Sequence, residues 1–275
     1  MTYATVMVSL ALDQPNGARL QVASGVAERF KASIIGIAAA QFAPPLYFTD
    51  GDRAQGLIDQ GEASVKKRLA ELEMQFREAT RNLGVGVEWR SAVDFPARFI
   101  AEQARCADII ISGGHSPAIS DAFSVASPKD LVMQAGRPLL VVPDTVDWLD
   151  LRRVVVAWKD TPEARRAVVD ALPMLREAKE VSVIQILEAD EDRSAALARV
   201  NDVVAWLSRH SISASGSVSE AGRNAVAQVD AVFGEVGASL IVAGAYGHSR
   251  FRELILGGVT QYLVTQSARC VLLSR

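Results

Sequence analysis

Short runs of apolar residues recur along the chain, and turn-forming or polar residues separate them. Runs of this length without polar interruption are typical of parallel strands that are buried on both faces. The run over residues 85–93 instead alternates apolar and polar positions, as a half-exposed strand does. The pattern predicts strands over residues 5–10, 33–39, 85–93, 108–112, 138–143, 152–157, 181–187, 214–219, 239–243 and 270–274.

Between these runs, apolar residues recur three or four positions apart, which is the spacing of an amphipathic helix. Proline opens two of these segments, at Pro96 and Pro162, and proline is favoured in the first turn of a helix. The pattern predicts helices over residues 19–30, 57–83, 96–105, 162–175, 195–209, 224–236 and 260–267, and a further helix that ends at residue 135.

The order of these elements repeats in the second half of the chain. Residues 6–10 (VMVSL) match residues 154–158 (VVVAW), and residues 134–142 (QAGRPLLVV) match residues 266–274 (QSARCVLLS). Strands that alternate with helices indicate a doubly wound parallel sheet. We therefore expect two tandem α/β domains over residues 1–143 and 152–275, joined by a short linker.

One loop of the second copy has the composition of a ligand site. Gly244, Gly247, Gly257 and Gly258 lie between a predicted strand and a predicted helix, where open parallel sheets bind ligands. Glycine lets the backbone approach an anion closely, and the N–H groups of Gly257, Gly258 and Val259 would open the helix unpaired. The alternative is that these glycines only form tight turns and allow close packing of helix on sheet.

The spacing of these glycines is neither the P-loop nor the Rossmann fingerprint. Gly, two residues, Gly, nine residues and Gly resembles the nucleotide-binding signature of the universal stress protein family. Together with the repeat, the resemblance covers the whole chain as a tandem of two such domains. It implies two five-stranded parallel sheets in the order 3-2-1-4-5, paired antiparallel through their last strands. Residues 139–142 and 271–274 would form that pair, which removes two exposed apolar edges.

The resemblance also implies where a ligand would bind and what it would be. ATP or a related adenine nucleotide, with Mg²⁺, would occupy the second copy between its first and fourth strands. The nucleotide-binding residues would be Ala157, Trp158, Lys159, Ile186, Ala243, Gly244, Tyr246, Gly247, His248, Gly257, Gly258 and Val259.

Two of these positions depart from the family pattern. The family usually has an acidic residue where this chain has Lys159, and a lysine cannot accept a hydrogen bond from adenine. Lys159 could instead contact a phosphate or the acceptor atoms of the ring, pair with Asp160 or remain a solvated loop charge. The family usually has Ser or Thr at Gly258, so a hydroxyl that holds the phosphates is missing.

The first copy keeps less of the signature. Gly113 matches Gly244, but Gly257 and Gly258 have no counterpart there, and Asp130 at the start of the following helix would repel a phosphate. We therefore expect the first copy to be a structural partner that binds no nucleotide.

The composition of the chain argues against several classes of protein function. A net charge of −3 argues against a broad basic surface for nucleic acid, and no apolar run is long enough to span a membrane. Two cysteines, Cys106 and Cys270, suggest no disulfide framework, and both are expected to be small buried residues in a cytoplasmic protein. His115, His210 and His248 lie far apart without metal-site spacing, and no catalytic constellation is visible.

These observations favour a stress-response protein that binds a nucleotide and regulates rather than catalyses. One alternative is a scaffold with vestigial pockets that binds a protein or a small metabolite. A second is an adenine-nucleotide hydrolase, for which the chain offers no general base. The two domains would form a pseudo-dimer within one chain, and a homodimer of such chains remains open.

Overall fold

The computed structural model describes residues 2–43, 51–114, 121–188, 191–220, 225–245, 256–265 and 268–275. The elements of the first half are β1 (Thr5–Ser9), α1 (Gly17–Phe30), β2 (Ser33–Ala40), α2 (Gly51–Thr80), β3 (Val87–Val93), α3 (Pro96–Gln103), β4 (Ile109–Gly113), α4 (Pro128–Gln134) and β5 (Leu139–Val142). Those of the second half are β6 (Arg153–Ala157), α5 (Pro162–Glu177), β7 (Glu180–Ile186), α6 (Arg193–Arg209), β8 (Ala214–Ser219), α7 (Ala225–Glu235), β9 (Leu240–Gly244), α8 (Leu256–Thr265) and β10 (Cys270–Ser274).

The strands form one ten-stranded sheet in the order β3-β2-β1-β4-β5-β10-β9-β6-β7-β8. Each half contributes five parallel strands in the order 3-2-1-4-5, which confirms the predicted fold class. The inner strands are continuous apolar runs because helices cover both of their faces.

The two halves meet where β5 pairs with β10. This pair is antiparallel, with Leu140 opposite Leu272 and Val141 opposite Val271, so the prediction for the last strands is confirmed. All four side chains are buried. Each strand thereby covers an edge that would otherwise expose apolar side chains and unpaired backbone groups.

Two apolar layers flank the sheet, and each extends across the junction of the halves. One layer contains Leu140 and Leu272 and packs against α1, α2, α5 and α6. The other contains Val141 and Val271 and packs against α3, α4, α7 and α8. The core is therefore continuous from one half to the other on both faces.

Two helices begin earlier than the sequence pattern predicts. Helix α2 begins at Gly51 and includes Gly56 and Gly61. Helix α8 begins at Leu256 rather than at residue 260, so Gly257 and Gly258 are helical. Glycine has low intrinsic helix propensity, so the sequence pattern gave no helical signal in these first turns.

The two cysteines differ in exposure. Cys270 is buried in β10, as predicted, but the prediction for Cys106 is wrong because its side chain is exposed. Cys106 ends a single 3-10 turn after α3, and Arg90 of the edge strand β3 donates a hydrogen bond to its Sγ at 2.9 Å.

Among the helices of the described chain, none combines the length and apolar character that a membrane crossing requires.

Candidate functional site

The predicted site lies at the carboxyl ends of β6 and β9, which are neighbouring parallel strands. Ala157 is in register with Ala243 at these ends, and β7 lies on the other side of β6. Helix α5 follows β6 onto one face of the sheet, and α8 follows β9 onto the other. Crossovers that leave to opposite faces open a crevice between the strands. Ala157 and Ile186 are half-buried there and provide its apolar surface.

Gly244 ends β9 and packs against the first turn of α5. A Cβ at this position would lie 2.5 Å from the backbone nitrogen of Ala164 and 2.7 Å from the carbonyl carbon of Glu163. These are backbone atoms, which cannot move aside as a flexible side chain could. Close helix-on-strand packing therefore explains Gly244 without any ligand.

Lys159 follows β6 and faces β7 rather than the glycine loop. Its Nζ lies 2.7 Å from Oε1 of Glu188, which follows the end of β7. Pairing of Lys159 with Asp160 does not occur, because Asp160 accepts a hydrogen bond from Arg165 at 2.6 Å. The lysine is thus already neutralised within the second half.

Trp158 does not share the crevice with Ala157, because successive residues of an extended strand point to opposite faces. Ala157 packs against the apolar layer under α7 and α8, whereas Trp158 belongs to the layer under α5 and α6. Its indole borders a groove between α5 and α6. The backbone of Trp158 donates a hydrogen bond to Ile184, which continues the pairing of β6 with β7.

Glu163 is a buried carboxylate beside the start of the glycine loop. Its side chain is only 7% exposed, and within the described residues its Oε2 has no hydrogen-bond partner. The helix is capped by Thr161, whose Oγ1 accepts a hydrogen bond from Ala164, so Glu163 is not needed as the cap. A buried carboxylate oxygen without a donor is available to a cation.

The sequence contains a signal for Glu163 that was missed. Glu163 lies four residues before Ala167 and therefore on the apolar stripe of α5, where a charged residue is unexpected.

The remaining predicted residues belong to the loop and to α8. Gly257 and Gly258 are the second and third residues of α8, where N–H groups have no acceptor within the helix. Val259 is the fourth residue, where the internal hydrogen bonds of a helix begin, so the prediction of an unpaired N–H at Val259 is wrong. Tyr246, Gly247 and His248 lie outside the described residues, as does His115. The described chain thus brings together Ala157, Ile186, Ala243 and Gly244, and places Trp158 on the opposite face.

The corresponding place in the first half is filled by Arg19. Arg19 is the third residue of α1, as Ala164 is of α5, and its guanidinium covers Gly113 so closely that a Cβ there would overlap it. Arg19 donates to the Ser9 carbonyl at 3.3 Å and to Gln14 Oε1 at 3.1 Å. Burial lowers the pKa of Arg19 to about 10, and the charge of Asp144 opposes this shift.

Arg19 is the second residue that the sequence analysis missed, and the signal is the same. It lies four residues before Ala23, on the apolar stripe of α1. The side chain of Arg19 fills the space over Gly113 at the end of β4. The first half therefore has less room for a ligand there than the presence of a glycine would indicate.

The described residues contain no group of three or more His, Cys, Asp or Glu side chains arranged to hold a metal ion. His210 follows α6 as its C-cap and packs against Trp206, with ring centroids 4.2 Å apart and the rings tilted by 51°. This histidine therefore has a packing role beside α6.

The architecture matches solved structures along its whole length. A universal stress protein from Archaeoglobus fulgidus superposes with a TM-score of 0.67 at 18% identity, covering 98% of this chain and 96% of that one. The chain has the fold of a tandem universal stress protein. A functionally unknown protein from Pseudomonas aeruginosa shares the fold with a TM-score of 0.59 at 15% identity, covering 99% of this chain and 92% of that one.

No protein-family model matches the chain, and no curated protein matches its sequence. At 18% identity or less, these similarities show the fold alone. The activity of the chain depends on its own residues at the strand ends.

Proposed function

We propose that the chain is a stress-response protein whose second domain, residues 152–275, binds an adenine nucleotide and regulates rather than catalyses. The observation that carries this proposal is the first turn of α8. Gly257 and Gly258 present N–H groups without helical acceptors, and the helix follows β9, the neighbour of β6. A helix N-terminus at a topological switch point is suited to phosphate.

Two further features support a nucleotide in this crevice. Ala157 and Ile186 offer a half-buried apolar surface at the ends of adjacent strands, which suits a flat base. Glu163 supplies a buried carboxylate oxygen beside the loop, and Mg²⁺ accompanying a triphosphate is bound by carboxylate oxygens. Without the metal, the same carboxylate would repel the phosphates.

A specific observation also favours the alternative of a scaffold that binds no nucleotide. Gly244 is fully explained by packing on α5, and Lys159 is committed to Glu188. Two residues of the predicted site therefore have structural partners within the chain. In that case the second half would carry a vestigial crevice, and a protein or a small metabolite would bind elsewhere.

Mass spectrometry of small molecules released from freshly purified protein separates the two functions. An adenine nucleotide at near-stoichiometric amount supports nucleotide binding. Its absence, together with no heat of binding for MgATP in calorimetric titration, supports the scaffold.

The contribution of the α8 turn is tested by Gly257→Val. The added side chain is expected to abolish MgATP binding while thermal unfolding shows that the fold survives. Gly56→Ala is the matched control, because a Cβ at Gly56 of α2 meets nothing within 4 Å. Retained binding by Gly257→Val would remove this turn from the site.

Gly258→Ser restores the hydroxyl that the family signature carries. Residues of an α-helix have φ near −63°, so serine fits in the first turn of α8 without backbone strain. A hydrogen bond to a charged phosphate oxygen is worth roughly 1.5–3 kcal/mol, and MgATP should bind about ten- to a hundred-fold more tightly. Unchanged affinity would show that the missing hydroxyl does not limit this site.

The role of Glu163 is tested by the dependence of ATP binding on Mg²⁺. The parent protein should bind ATP only when Mg²⁺ is present, whereas Glu163→Gln should lose most of that dependence because the repelling charge is gone. Glu71→Gln, at an exposed position of α2, is the control and should leave the dependence intact.

A further inference from the structure

The second half carries a groove that the nucleotide proposal does not use. It lies between α5 and α6 and has a volume of about 430 Å³, which is within the range of small-molecule sites. Its apolar walls are the indoles of Trp158 and Trp206 with Val168, Val169 and Val203. We call it the α5–α6 groove. It opens on the helical face of the sheet, whereas the crevice lies at the strand ends.

The charges around the α5–α6 groove do not cancel. Four charged residues line it: Asp160, Arg165, Arg199 and Asp202. Arg165 pairs with Asp160 at 2.6 Å, and Arg199 pairs with Glu191, which lies just before α6. Asp202 is exposed, and within the described chain no hydrogen bond or ion pair reaches it. Once each arginine is matched with its carboxylate, one negative charge is left over.

A backbone acceptor adds to this negative character. Pro173 lies inside α5 and has no N–H, so the carbonyl of Val169 lacks the donor four residues later that a helix normally provides. Val169 lines the α5–α6 groove and is 49% exposed. The carbonyl of Val169, a residue of the groove wall, therefore lacks its usual helical donor.

The matching helix pair of the first half, α1 and α2, lacks the tryptophan and the proline that distinguish the α5–α6 groove. Leu10 stands where the second copy has Trp158, and Glu28 stands where α5 has Pro173. Helices α1 and α2 are also joined there, because Arg68 of α2 forms an ion pair with Asp13 just before α1. Of these two helix pairs, only α5 and α6 combine the indole of Trp158, a proline inside the first helix and the unpaired carboxylate of Asp202.

We propose that the α5–α6 groove binds a small organic ammonium compound with an aromatic or aliphatic body. The carboxylate of Asp202 and the carbonyl of Val169 accept hydrogen bonds from the ammonium group. The indoles of Trp158 and Trp206 attract the cation through their π faces, and the valines cover the apolar body. An organic anion is disfavoured because both arginines of the groove are already paired.

The probe is 2-phenylethylamine, titrated calorimetrically into the full chain, and 3-phenylpropanoate is the matched anion of the same shape. The amine is expected to bind at one site, and the carboxylate at least ten-fold more weakly. Equal binding of both compounds, or no binding of the amine, overturns the proposal.

Variants locate the binding in the groove. Asp202→Asn should weaken the amine about five-fold, which corresponds to a partly exposed ion pair. Trp206→Leu should weaken it about ten-fold through the lost cation–π contact. Glu71→Gln removes an exposed carboxylate elsewhere and should leave the affinity unchanged. If neither groove variant weakens the amine, or if the control weakens it equally, the groove is not the site.

Discussion

A glycine ends the fourth strand of each half, and its role depends on what lies above it. Gly113 is covered by the side chain of Arg19, and Gly244 by the backbone of α5 at Ala164. The same residue therefore accommodates a buried guanidinium in one copy and a close helix in the other. A glycine at the same position in both copies therefore does not imply that both copies bind the same ligand.

Gly244→Ala should destabilise the fold. Its Cβ would lie 2.5 Å from a backbone atom of α5, and overpacking of this kind typically costs about 1–3 kcal/mol. The measurement is the free energy of unfolding in denaturant. Gly56→Ala is the control and should stabilise by up to about 1 kcal/mol, because alanine favours an exposed helix position. A neutral Gly244→Ala would mean that α5 does not pack so closely.

The two thiols should differ in reactivity. With Cys270→Ala, the remaining exposed Cys106 should react with a thiol reagent in the native protein. With Cys106→Ser, the remaining Cys270 should react only after unfolding, since it is 1% exposed. Rapid native labelling of Cys270 would contradict its position in the core.

Burial of Cys270 also predicts an alkaline loss of stability. Burial raises the pKa of its thiol from near 9 to about 12. Between these values the unfolded chain releases a proton that the folded chain keeps, so stability falls as pH rises, by up to roughly 1.4 kcal/mol per pH unit. In a Cys106→Ser background, Cys270→Ala should remove this contribution, so its free energy of unfolding should fall less between pH 9 and pH 11. Parallel profiles for both proteins would refute the effect.

At the scale of elements, the β5–β10 pair joins the two halves. Leu272→Ala leaves a cavity next to Leu140 and should cost about 2–5 kcal/mol. Leu57→Ala is the matched control on α2, where the side chain is 46% exposed, and its cost should stay below about 0.5 kcal/mol. Similar losses for both variants would mean that the pairing contributes little.

Helix boundaries were the least predictable feature of the elements. The first turn of α8 was hidden because glycines carry no apolar signal, although backbone geometry makes them helical. The start of α2 was hidden for the same reason, because Gly51 and Gly56 lie in the part of the helix before residue 57.

At the scale of the molecule, further contacts join the halves beyond the central strands. The Tyr3 hydroxyl donates to the Asp170 carbonyl of α5 at 2.7 Å. In the matching place of the other half, Trp148 packs beside Gly25 of α1, under the guanidinium of Arg29. The segment before each first sheet strand thus packs on the first helix of the opposite half.

These contacts predict one cooperative unfolding transition for the whole chain. Variants that keep only Trp89 or only Trp206 report on the first and second halves respectively. Their fluorescence midpoints in denaturant should coincide within error, because both apolar layers cross the junction. Two separate midpoints would show that the halves unfold independently.

The same arrangement limits how two chains could associate. The pairing surface that β5 and β10 would offer is used within the chain, and β3 and β8 form the sheet edges. A homodimer would therefore have to use an edge strand or a helical face. Edge strand β3 carries the paired charges of Glu88 and Arg90, which discourage edge-to-edge pairing.

The sequence by itself determined the order of strands and helices and the repeat. Buried parallel strands must be apolar along their length, and helices that cover them must have one apolar stripe. These requirements act on neighbouring residues, so they are visible in a linear pattern. The family resemblance added the strand order and the pairing of the last strands, which periodicity alone does not contain.

Only the tertiary structure decided what the individual site residues touch. Lys159 pairs with Glu188, Trp158 faces α6, and Gly244 meets Ala164, and each contact joins residues that are well separated along the chain. The burial of Glu163 and the exposure of Cys106 have the same origin. Such contacts depend on how helices pack on the sheet, and sequence periodicity reports which face of a helix is buried but not which atoms it meets.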